Sequence, residues 1–408
     1  MRLERLRGED PWEAVDRIRS LVPAGASVRE ETAAIVDAVR TGGDAELERL
    51  ASRLDGVAPP LSVAPHELDA AAAALRHDLR CGIEIAMANV AAVAGASLGD
   101  DADLRLPQGQ RIVVRELPVR RAAIYVPGGR NPYPSTVVMG VVTARVAGVE
   151  DIAVLSPGAH PVVLAACALC GVDEVYRFGG AHGIAAVAYG TGSVERADVV
   201  AGPGGLYVQE AKRLVSGDVG IDGFLGPSDV FIVADGGADP DLVAADLAAQ
   251  AEHGPGTIVA VASPDAALLD AVRARLDVDS EAVGALIDVG TVEEALAVVE
   301  AFAPEHLQLM GRDAGSLASR VTRAGCVFVN GGTAFGDYVA GSNHSLPTGG
   351  SARFGSALSV RHFRRRMTEV HLGPASPALA RAGAPIARAE GFELHARSME
   401  ARKNGGPR

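Results

Sequence analysis

Apolar residues recur at two different spacings along the chain, and the change between them falls near residue 120. Before it, they recur every three to four residues in Ala-, Glu- and Arg-rich sequence, with Pro and Gly between the segments. This pattern predicts amphipathic helices separated by turns. The predicted helices of this first part cover residues 12–21, 28–41, 44–54 and 67–94.

After residue 120, short apolar runs alternate with segments of helical periodicity. Such alternation predicts βαβ units, which form parallel sheets covered by helices on both faces. The predicted strands are 122–126, 152–155, 199–201, 230–234, 258–262 and 327–330. The predicted helices between them are 135–147, 162–170, 181–189, 206–215, 242–251 and 264–275.

The expected fold class is therefore α/β, with two doubly wound parallel-sheet (Rossmann-like) lobes. At 408 residues the chain exceeds the size at which one hydrophobic core stops growing. We expect a helical N-terminal segment (1–120), a first Rossmann-like lobe (121–225), a second lobe (226–345) and a C-terminal helical tail (346–408).

Composition narrows the functional class. The formal net charge of −13 argues against nucleic acid and anionic membranes as partners. The basic run at 361–366 is interpreted as a solvated or substrate-side face. The N-terminus lacks the apolar core of a signal peptide, and no apolar run is expected to approach the length of a membrane span. We therefore expect a cytoplasmic protein that binds neither nucleic acid nor membrane.

Cysteine usage agrees with a reducing compartment. Cys167 and Cys170 form a Cys-x-x-Cys pair inside an Ala-, Leu- and Val-rich helix, with no second pair elsewhere. A thiolate zinc site needs more ligands than this. Both thiols are therefore interpreted as buried core residues.

Two short motifs combine groups suited to metal binding and proton transfer. Gln250 and His253 are three residues apart in a predicted helix, which would bring both side chains to one face. An amide oxygen and an imidazole are acceptable zinc ligands. Glu305 and His306 place a carboxylate beside an imidazole directly after a proline. Alone, the first motif is also typical of a solvated helix, and the second of a surface helix start.

Further polar residues follow near the C-terminus. Asp337 and His344 lie in the Gly-rich stretch 336–350, which favours loops whose side chains face a ligand. Glu390 and His395 are expected in the last helix. No Gly-x-Gly-x-x-Gly motif follows a strand, so the sequence itself does not announce a dinucleotide site. The nearest feature is the glycine-rich turn 202–205.

Taken together, these motifs resemble the histidinol dehydrogenase family. The resemblance rests on QAEHGP (250–255), APEHL (303–307), GDYVAGSNHSLPTGG (336–350) and EGFELH (390–395), in that order. YVPGGRNPYPS (125–135) and GPS (226–228) match the family as well. The similarity extends from about residue 36 to about residue 401.

The resemblance implies a two-step, NAD-linked oxidation of L-histidinol through L-histidinal to L-histidine, the last steps of histidine biosynthesis. His306 is expected to be the base of the first step, and Glu305 to activate water in the second. The implied zinc ligands, for one Zn²⁺ per subunit, are Gln250, His253, Asp337 and His395. The implied substrate contacts are those four ligands together with Ser228, His306, His344 and Glu390.

The cofactor-contact positions implied by the resemblance are Tyr125, His182 and Gly205. Tyr125 matches the family pattern, whereas His182 stands where the family usually has Gln, and Gly205 where it usually has Asn. After Ser228 the family usually has Glu, and this chain has Asp229. Gly205 has no side-chain amide, and a missing neutral hydrogen bond costs about 0.5–1.5 kcal/mol of binding free energy. We therefore predict weaker NAD binding than the family pattern would give.

Two alternatives remain open at this stage. One is a relative that oxidises another primary alcohol, such as a sulfonated diol. The other is a zinc-holding homologue with impaired use of NAD. The resemblance also implies a homodimer with shared active sites, in which the C-terminal helices carry Glu390 and His395 to the partner subunit.

Overall fold

The computed structural model describes residues 1–22, 27–128, 131–223 and 226–402. Within them the strands are β1 (Arg2–Arg7), β2 (Ala102–Arg105), β3 (Arg111–Pro118), β4 (Arg121–Tyr125), β5 (Asp151–Leu155), β6 (Glu174–Tyr176), β7 (Val199–Ala201), β8 (Gly220–Ile221), β9 (Asp229–Ala234), β10 (Ile258–Ser263), β11 (Val283–Asp288), β12 (His306–Met310), β13 (Cys326–Val329) and β14 (Arg364–His371).

The helices in the same residues are α1 (Pro11–Ser20), α2 (Arg29–Leu50), α3 (Pro65–Ala74), α4 (His77–Ala96), α5 (Pro134–Val137), α6 (Thr143–Val146), α7 (Pro161–Leu169), α8 (Gly180–Tyr189), α9 (Leu206–Val215), α10 (Pro240–Ala251), α11 (Ala266–Arg275), α12 (Val292–Phe302), α13 (Ala314–Ala318), α14 (Ala334–Tyr338), α15 (Ser376–Ala389) and α16 (Glu393–Glu400). A π-helical turn (Ala51–Asp55) continues α2, and another (Val138–Val142) joins α5 to α6.

Two parallel sheets have the same strand order. The five-stranded sheet has the order β6-β5-β4-β7-β8, and the six-stranded sheet β1-β11-β10-β9-β12-β13. Numbering the strands of each βαβ series from its first strand gives 3-2-1-4-5 in both cases, with β1 added at the edge of the larger sheet. All their pairings are parallel. The predicted α/β class with two Rossmann-like sheets is confirmed.

Each sheet is buried on both faces. Along β4, Ala122 and Ile124 join one core cluster while Ala123 and Tyr125 join another. Successive side chains of a strand point to opposite faces, so helices must cover both sides. β9 is divided in the same way between two further clusters. These strands therefore read as continuous apolar runs, which is why the sequence reveals them.

Contacts divide the chain into two compact units. The first comprises Met1–Ser97 and Val119–Phe363 and contains both parallel sheets; the second comprises Leu98–Pro118 and Arg364–Arg408. In the second unit, β14, β3 and β2 form an antiparallel sheet, and α15 packs against α16 through Ala384, Ala387 and Ala396.

The N-terminal part differs from the prediction in several elements. The break predicted between residues 41 and 44 is a kink at Gly43 (φ 58°) inside α2. The single helix predicted over 67–94 is two helices, because Leu75 adopts an extended conformation between them. Three strands, β1, β2 and β3, also lie in the segment expected to be helical. Charged residues make up four of the six positions of β1 and two of the four of β2, so their apolar signal is weak.

Among the described residues, helix α4 is long and apolar enough for a membrane span by length and composition, with a hydropathy of 1.3. The expectation that no apolar run approaches this length is wrong in that respect. One face of α4, formed by Ile83, Ala86, Val90 and Ala94, packs into the core cluster beside β4.

Candidate active site

A cavity of 390 Å³ lies in the first unit between the two parallel sheets. Its walls come from turns that follow β4 and β7 and from residues that precede or begin β9, β10 and β12. The polar side chains among the lining residues are Ser135, Thr136, Gln209, Ser228, His253, Thr257, Glu305, His306, Asp337, Tyr338, His344, Ser345 and Thr348; Tyr133 also lines it, and Gly205 contributes its backbone.

Glu305 and His306 lie on the wall of this cavity, and both are nearly buried. His306 begins the central strand β12, and Glu305 directly precedes it. The surface helix start considered for this motif is therefore wrong. The Glu305 carboxylate accepts hydrogen bonds from the hydroxyl of Ser228 and, at 2.9 Å, from the backbone N–H of Asp229.

The His306 imidazole lies between two carboxylates. Its Nδ1 is 3.3 Å from the carbonyl oxygen of Asp229 and 3.6 Å from Glu305 Oε2, and its Nε2 is 3.3 Å from Asp337 Oδ1. Burial alone lowers the pKa of His306, but the charges of Glu305 and Asp337 raise it well above its ordinary value. The two carboxylates therefore make this imidazole a stronger base than a free histidine.

The carboxyl group of Asp229 also has a strongly shifted pKa. Burial first, and then the charge of Glu305, raise the pKa of Asp229 to about 7. Its carboxylate accepts the backbone N–H of Glu305 at 2.7 Å. In the sequence, Asp229 stands out only as a departure from the family pattern, although its position beside Ser228 is a signal for the site.

Gln250 and His253 are placed at the C-terminal end of α10. The helix ends at Ala251, so His253 lies beyond it, and the prediction that both side chains share one helix face is wrong. The Nδ1 of His253 is 3.0 Å from the carbonyl oxygen of Gln250. The Gln250 amide donates to the Ser228 hydroxyl. The Ser228 hydroxyl thus links Gln250 to Glu305 through two hydrogen bonds.

Asp337 and His344 are also brought to the cavity. Asp337 lies in the short helix α14 rather than in the loop that the glycine content suggested. Although burial opposes it, His306 lowers the pKa of Asp337 below its ordinary value. His344 bonds to the Asp337 carbonyl (2.9 Å) and to the hydroxyl of Thr136 (3.2 Å), and burial lowers the pKa of His344.

Glu390 and His395 belong to the second unit. Glu390 caps the C-terminus of α15, and His395 lies in α16, so the expectation that both are in the last helix is wrong for Glu390. The His395 ring packs beside Phe392, with ring centroids 5.3 Å apart. Their role in an active site stays a prediction.

The three predicted cofactor positions lie in different surroundings. Tyr125 lines a second cavity, of 620 Å³, beside the ends of β4 and β5. Gly205 precedes α9 and lines the 390 Å³ cavity. His182, in α8, is fully buried and is not among the described residues that line either cavity. Gly129 and Arg130 of the YVPGGRNPYPS motif lie outside the described residues.

His182 is paired with a residue that the sequence did not indicate. Its Nε2 is 2.9 Å from the carboxylate of Asp55, which also accepts the backbone N–H of Gly179 at 2.8 Å. Among the described residues, Nδ1 has no hydrogen-bond partner. The side chain is therefore engaged with Asp55, and its contact with the cofactor stays a prediction.

A buried ion pair holds the glycine-rich turn that borders the cavity. Lys212 pairs with Asp222, and the two side chains also bind the carbonyl (3.1 Å) and the N–H (2.7 Å) of Gly202. Gly202 has φ +126°, and a Cβ there would lie 2.0 Å from the carbonyl oxygen of Tyr125. Only glycine allows this turn to approach β4 so closely.

The donors of the first unit suit a zinc ion but do not complete its usual set. His253 and Asp337 line the cavity, and Gln250 is joined to it through Ser228. Imidazole, carboxylate and amide oxygen are all acceptable to zinc, which usually takes four ligands. In the described part of the chain, no group of three or more His, Cys, Asp or Glu residues is close enough to hold a metal.

Comparisons with known proteins agree on one family. The histidinol dehydrogenase family model matches residues 22–403. Histidinol dehydrogenase from Thermus thermophilus is 43% identical over 393 residues, covering 92% of this chain and 95% of that protein. The enzyme of the same name from Halobacterium salinarum is 43% identical over 397 residues, covering 92% and 93%.

The fold supports the same relationship. The crystal structure of histidinol dehydrogenase from Elizabethkingia anophelis superposes with a TM-score of 0.91 at 26% identity, and covers 98% of each chain. Family match, sequence identity and fold extend over nearly the whole chain. The chain therefore belongs to the histidinol dehydrogenase family.

Proposed function

We propose that this protein is an NAD-dependent histidinol dehydrogenase, which oxidises L-histidinol through L-histidinal to L-histidine in histidine biosynthesis. The family match supports the reaction class. The observation that carries the proposal is the His306 imidazole on the cavity wall, with Glu305 beside it and Asp337 on its far side. These groups suit two successive oxidations in which protons are released as hydride leaves.

In the first step, His306 accepts the proton of the substrate hydroxyl while hydride leaves the carbon atom that bears this hydroxyl. A positioned general base typically contributes about 10²–10⁴-fold to the rate. In the second step, Glu305 takes a proton from the water that adds to the aldehyde, and hydride leaves the resulting diol. NAD supplies the hydride acceptor in both oxidations. Ser228 donates to the Glu305 carboxylate and orients it.

Substrate recognition is assigned to the polar residues around these two groups. Ser228 and His344 line the cavity, and the buried His344 suits a neutral imidazole that bonds to a substrate nitrogen or oxygen. Glu390 would pair with the substrate ammonium group, since carboxylates bind ammonium ions through charge-assisted hydrogen bonds. The acidic surroundings favour an amino alcohol over an anionic sulfonated diol.

We further propose one Zn²⁺ per subunit, held by Gln250, His253, Asp337 and His395. Its contribution would be to orient the substrate and polarise its oxygen. The ligand set is mixed and free of thiolates, which is typical of sites that keep a position open for substrate. Because the substrate would bind at this metal, the four zinc ligands would also be substrate contacts.

The source of His395 and Glu390 is proposed to be a second subunit. A homodimer whose C-terminal helices cross would supply both residues to the partner's cavity. Mixing His395→Ala protein with His306→Ala protein tests this arrangement, because one of the two sites in a mixed dimer would have all its residues. Partial recovery of activity is expected; recovery fails if each chain builds its own site.

The cofactor positions are proposed to be Tyr125 and Gly205, and His182 is given a supporting role through Asp55. The Gly205 backbone borders the cavity but offers no side-chain amide. Reduced affinity for NAD is therefore expected, with the reaction itself unchanged. A cytoplasmic location, with no nucleic-acid or membrane partner, completes the proposal.

The decisive experiment is an assay of purified protein with Zn²⁺, NAD and L-histidinol, in which NADH absorbance and L-histidine are both measured. Two NADH per histidinol consumed are expected. Activity only with other primary alcohols would favour a relative with a different substrate. Tight zinc binding without NADH formation from any alcohol would identify a homologue that has lost its redox function.

A further inference from the structure

Asp229 makes three contacts with the two residues proposed to carry the chemistry. Its carboxylate accepts the backbone N–H of Glu305 at 2.7 Å, and its own backbone N–H donates to the Glu305 carboxylate at 2.9 Å. Its carbonyl oxygen lies 3.3 Å from His306 Nδ1. Asp229 is almost fully buried and does not itself line the 390 Å³ cavity.

The first two contacts form a reciprocal pair between neighbouring strands. Asp229 is the first residue of β9, and Glu305 precedes β12, which pairs with β9 so that His306 is opposite Val230. Each residue binds the other's backbone with its own side chain. The Glu305 carboxylate is therefore held against the start of β9 and cannot rotate freely.

We propose that Asp229 is a positioning residue for the second oxidation, which fixes Glu305 at the angle needed to activate water. This inference rests on the proposed function, since the role of Glu305 is itself part of it. Among the described residues, the hydrogen bonds that join Asp229 to the cavity wall are those with Glu305 and His306. Its effect must therefore pass through the residues that it holds.

The charges around Asp229 are consistent with such a role. The groups that face its carboxyl are the Glu305 carboxylate, the His306 imidazole and the backbone N–H groups of Glu305 and Gly349. Burial and the neighbouring Glu305 raise the pKa of Asp229 to about 7. A protonated Asp229 still accepts the Glu305 N–H through its carbonyl oxygen, so the contact survives a change of charge.

Two variants separate the hydrogen-bond acceptor of Asp229 from its negative charge. Asp229→Asn retains an oxygen at the same distance and removes the negative charge. Asp229→Ala removes the acceptor of the Glu305 N–H but leaves both backbone contacts, the N–H to the Glu305 carboxylate and the carbonyl oxygen beside His306. Asp235→Asn serves as a matched control, because Asp235 follows the other end of β9 and accepts the backbone N–H groups of Arg312 and Asp313.

The two half-reactions are measured separately, with L-histidinol and with L-histidinal as substrates, under saturating NAD and Zn²⁺. For Asp229→Ala, we expect kcat with L-histidinal to fall about 10–100-fold, the effect of misplacing a catalytic group by about 1 Å. The alcohol step and the KM for L-histidinol should change less than about threefold. Asp229→Asn should recover most of the aldehyde rate, and Asp235→Asn should leave both steps unchanged.

Two results would overturn the inference: equal losses in both half-reactions for Asp229→Ala, or an aldehyde rate in Asp229→Asn as low as in Asp229→Ala. If Asp229→Ala does not fold, Asp229→Ser replaces it, and a loss confined to the aldehyde step is still required. A failure of the proposed function itself would be seen in the wild-type protein, which would then form no NADH from L-histidinol. This outcome is distinct from a failure of the inference about Asp229.

Discussion

The two parallel sheets share the strand order 3-2-1-4-5 but present opposite ends to the 390 Å³ cavity. The five-stranded sheet contributes the turns after β4 and β7, at the carboxyl ends of its strands. The six-stranded sheet contributes residues 228, 257, 305 and 306, at the amino ends of β9, β10 and β12. In open α/β sheets, ligands normally bind at the carboxyl ends.

The chemical character of the two walls differs accordingly. The first sheet supplies proline, glycine and backbone groups, whereas the second supplies carboxylates and imidazoles. The amino ends of strands present backbone N–H groups, and a buried carboxylate is stabilised by accepting them. Glu305 and Asp229 each do so. Under the proposed function, the same topology would serve cofactor contact at one end and acid–base chemistry at the other.

The largest effect is expected at the second wall. His306→Ala should slow both oxidations about 10²–10⁴-fold, because a general base is lost. Glu305→Gln should slow the aldehyde step by a similar factor and spare the alcohol step. Single-turnover measurements with L-histidinol and L-histidinal separate the two. Equal damage to the alcohol step by both substitutions would contradict the assigned division of roles.

The first wall should instead show its largest effect in stability. Lys212→Met leaves Asp222 buried without its partner, which typically costs about 3–5 kcal/mol. Arg213→Met, on the same helix, alters an exposed pair with Glu210 and should cost less than about 1 kcal/mol. Urea unfolding measures both. A small loss for Lys212→Met would mean that the turn at Gly202 does not depend on this ion pair.

A pH-dependent difference is expected from Asp229. Its pKa is raised from 3.8 to about 7 in the folded protein, so the folded state binds a proton more tightly than the unfolded state. The stability linked to that proton is fully present below about pH 4 and is lost as pH rises through about 7. Asp229→Asn cannot titrate, so its urea midpoint should fall less between pH 5 and pH 8 than that of the wild type. An equal fall in both proteins would contradict the assignment.

The smallest effect is expected at the first wall, where Gly205 lies. Gly205 has an extended backbone, and no described atom lies within 4 Å of the position that a Cβ would take, so asparagine fits there. One added hydrogen bond is worth about 0.5–1.5 kcal/mol, so Gly205→Asn should lower the KM for NAD about two- to tenfold. Gly217→Asn, at another open position after the same helix, should leave it unchanged.

His182→Gln is now expected to add little to that gain, because the His182 ring is buried against Asp55. Its effect should appear in stability instead, since an altered side chain there disturbs a buried hydrogen bond. A further fall in the KM for NAD in the double variant would show that the Asp55 contact opens when cofactor binds.

The sequence predicted most strands whose apolar signal is continuous, although it missed the apolar β11, and it failed where polar residues interrupt the signal. The buried strands β4, β7 and β9 were found almost residue for residue. β12 was missed because it begins with His306, a residue that was interpreted only through its chemistry. β1 was missed because four of its six residues are charged.

The candidate site shows the same limit in another form. Motifs revealed Glu305, His306 and Asp337, since each carries a side chain with evident chemistry. They did not reveal Asp55 or the contacts of Asp229, which act through partners 127 and 76 residues away along the chain. Contacts of such long range depend on the assembled sheets, and local pattern does not encode them.

Strand β1 has a consequence for the order in which the chain can assemble. Arg2–Arg7 pair with Val283–Asp288, so this strand is synthesised some 280 residues before the partner strand that it needs. Until then, the five-stranded sheet can fold while the six-stranded sheet cannot close its edge. An unpaired strand edge invites pairing with another chain. Strand β1 can therefore pair with β11 only late in synthesis. Its charged residues keep it soluble until β11 has been made.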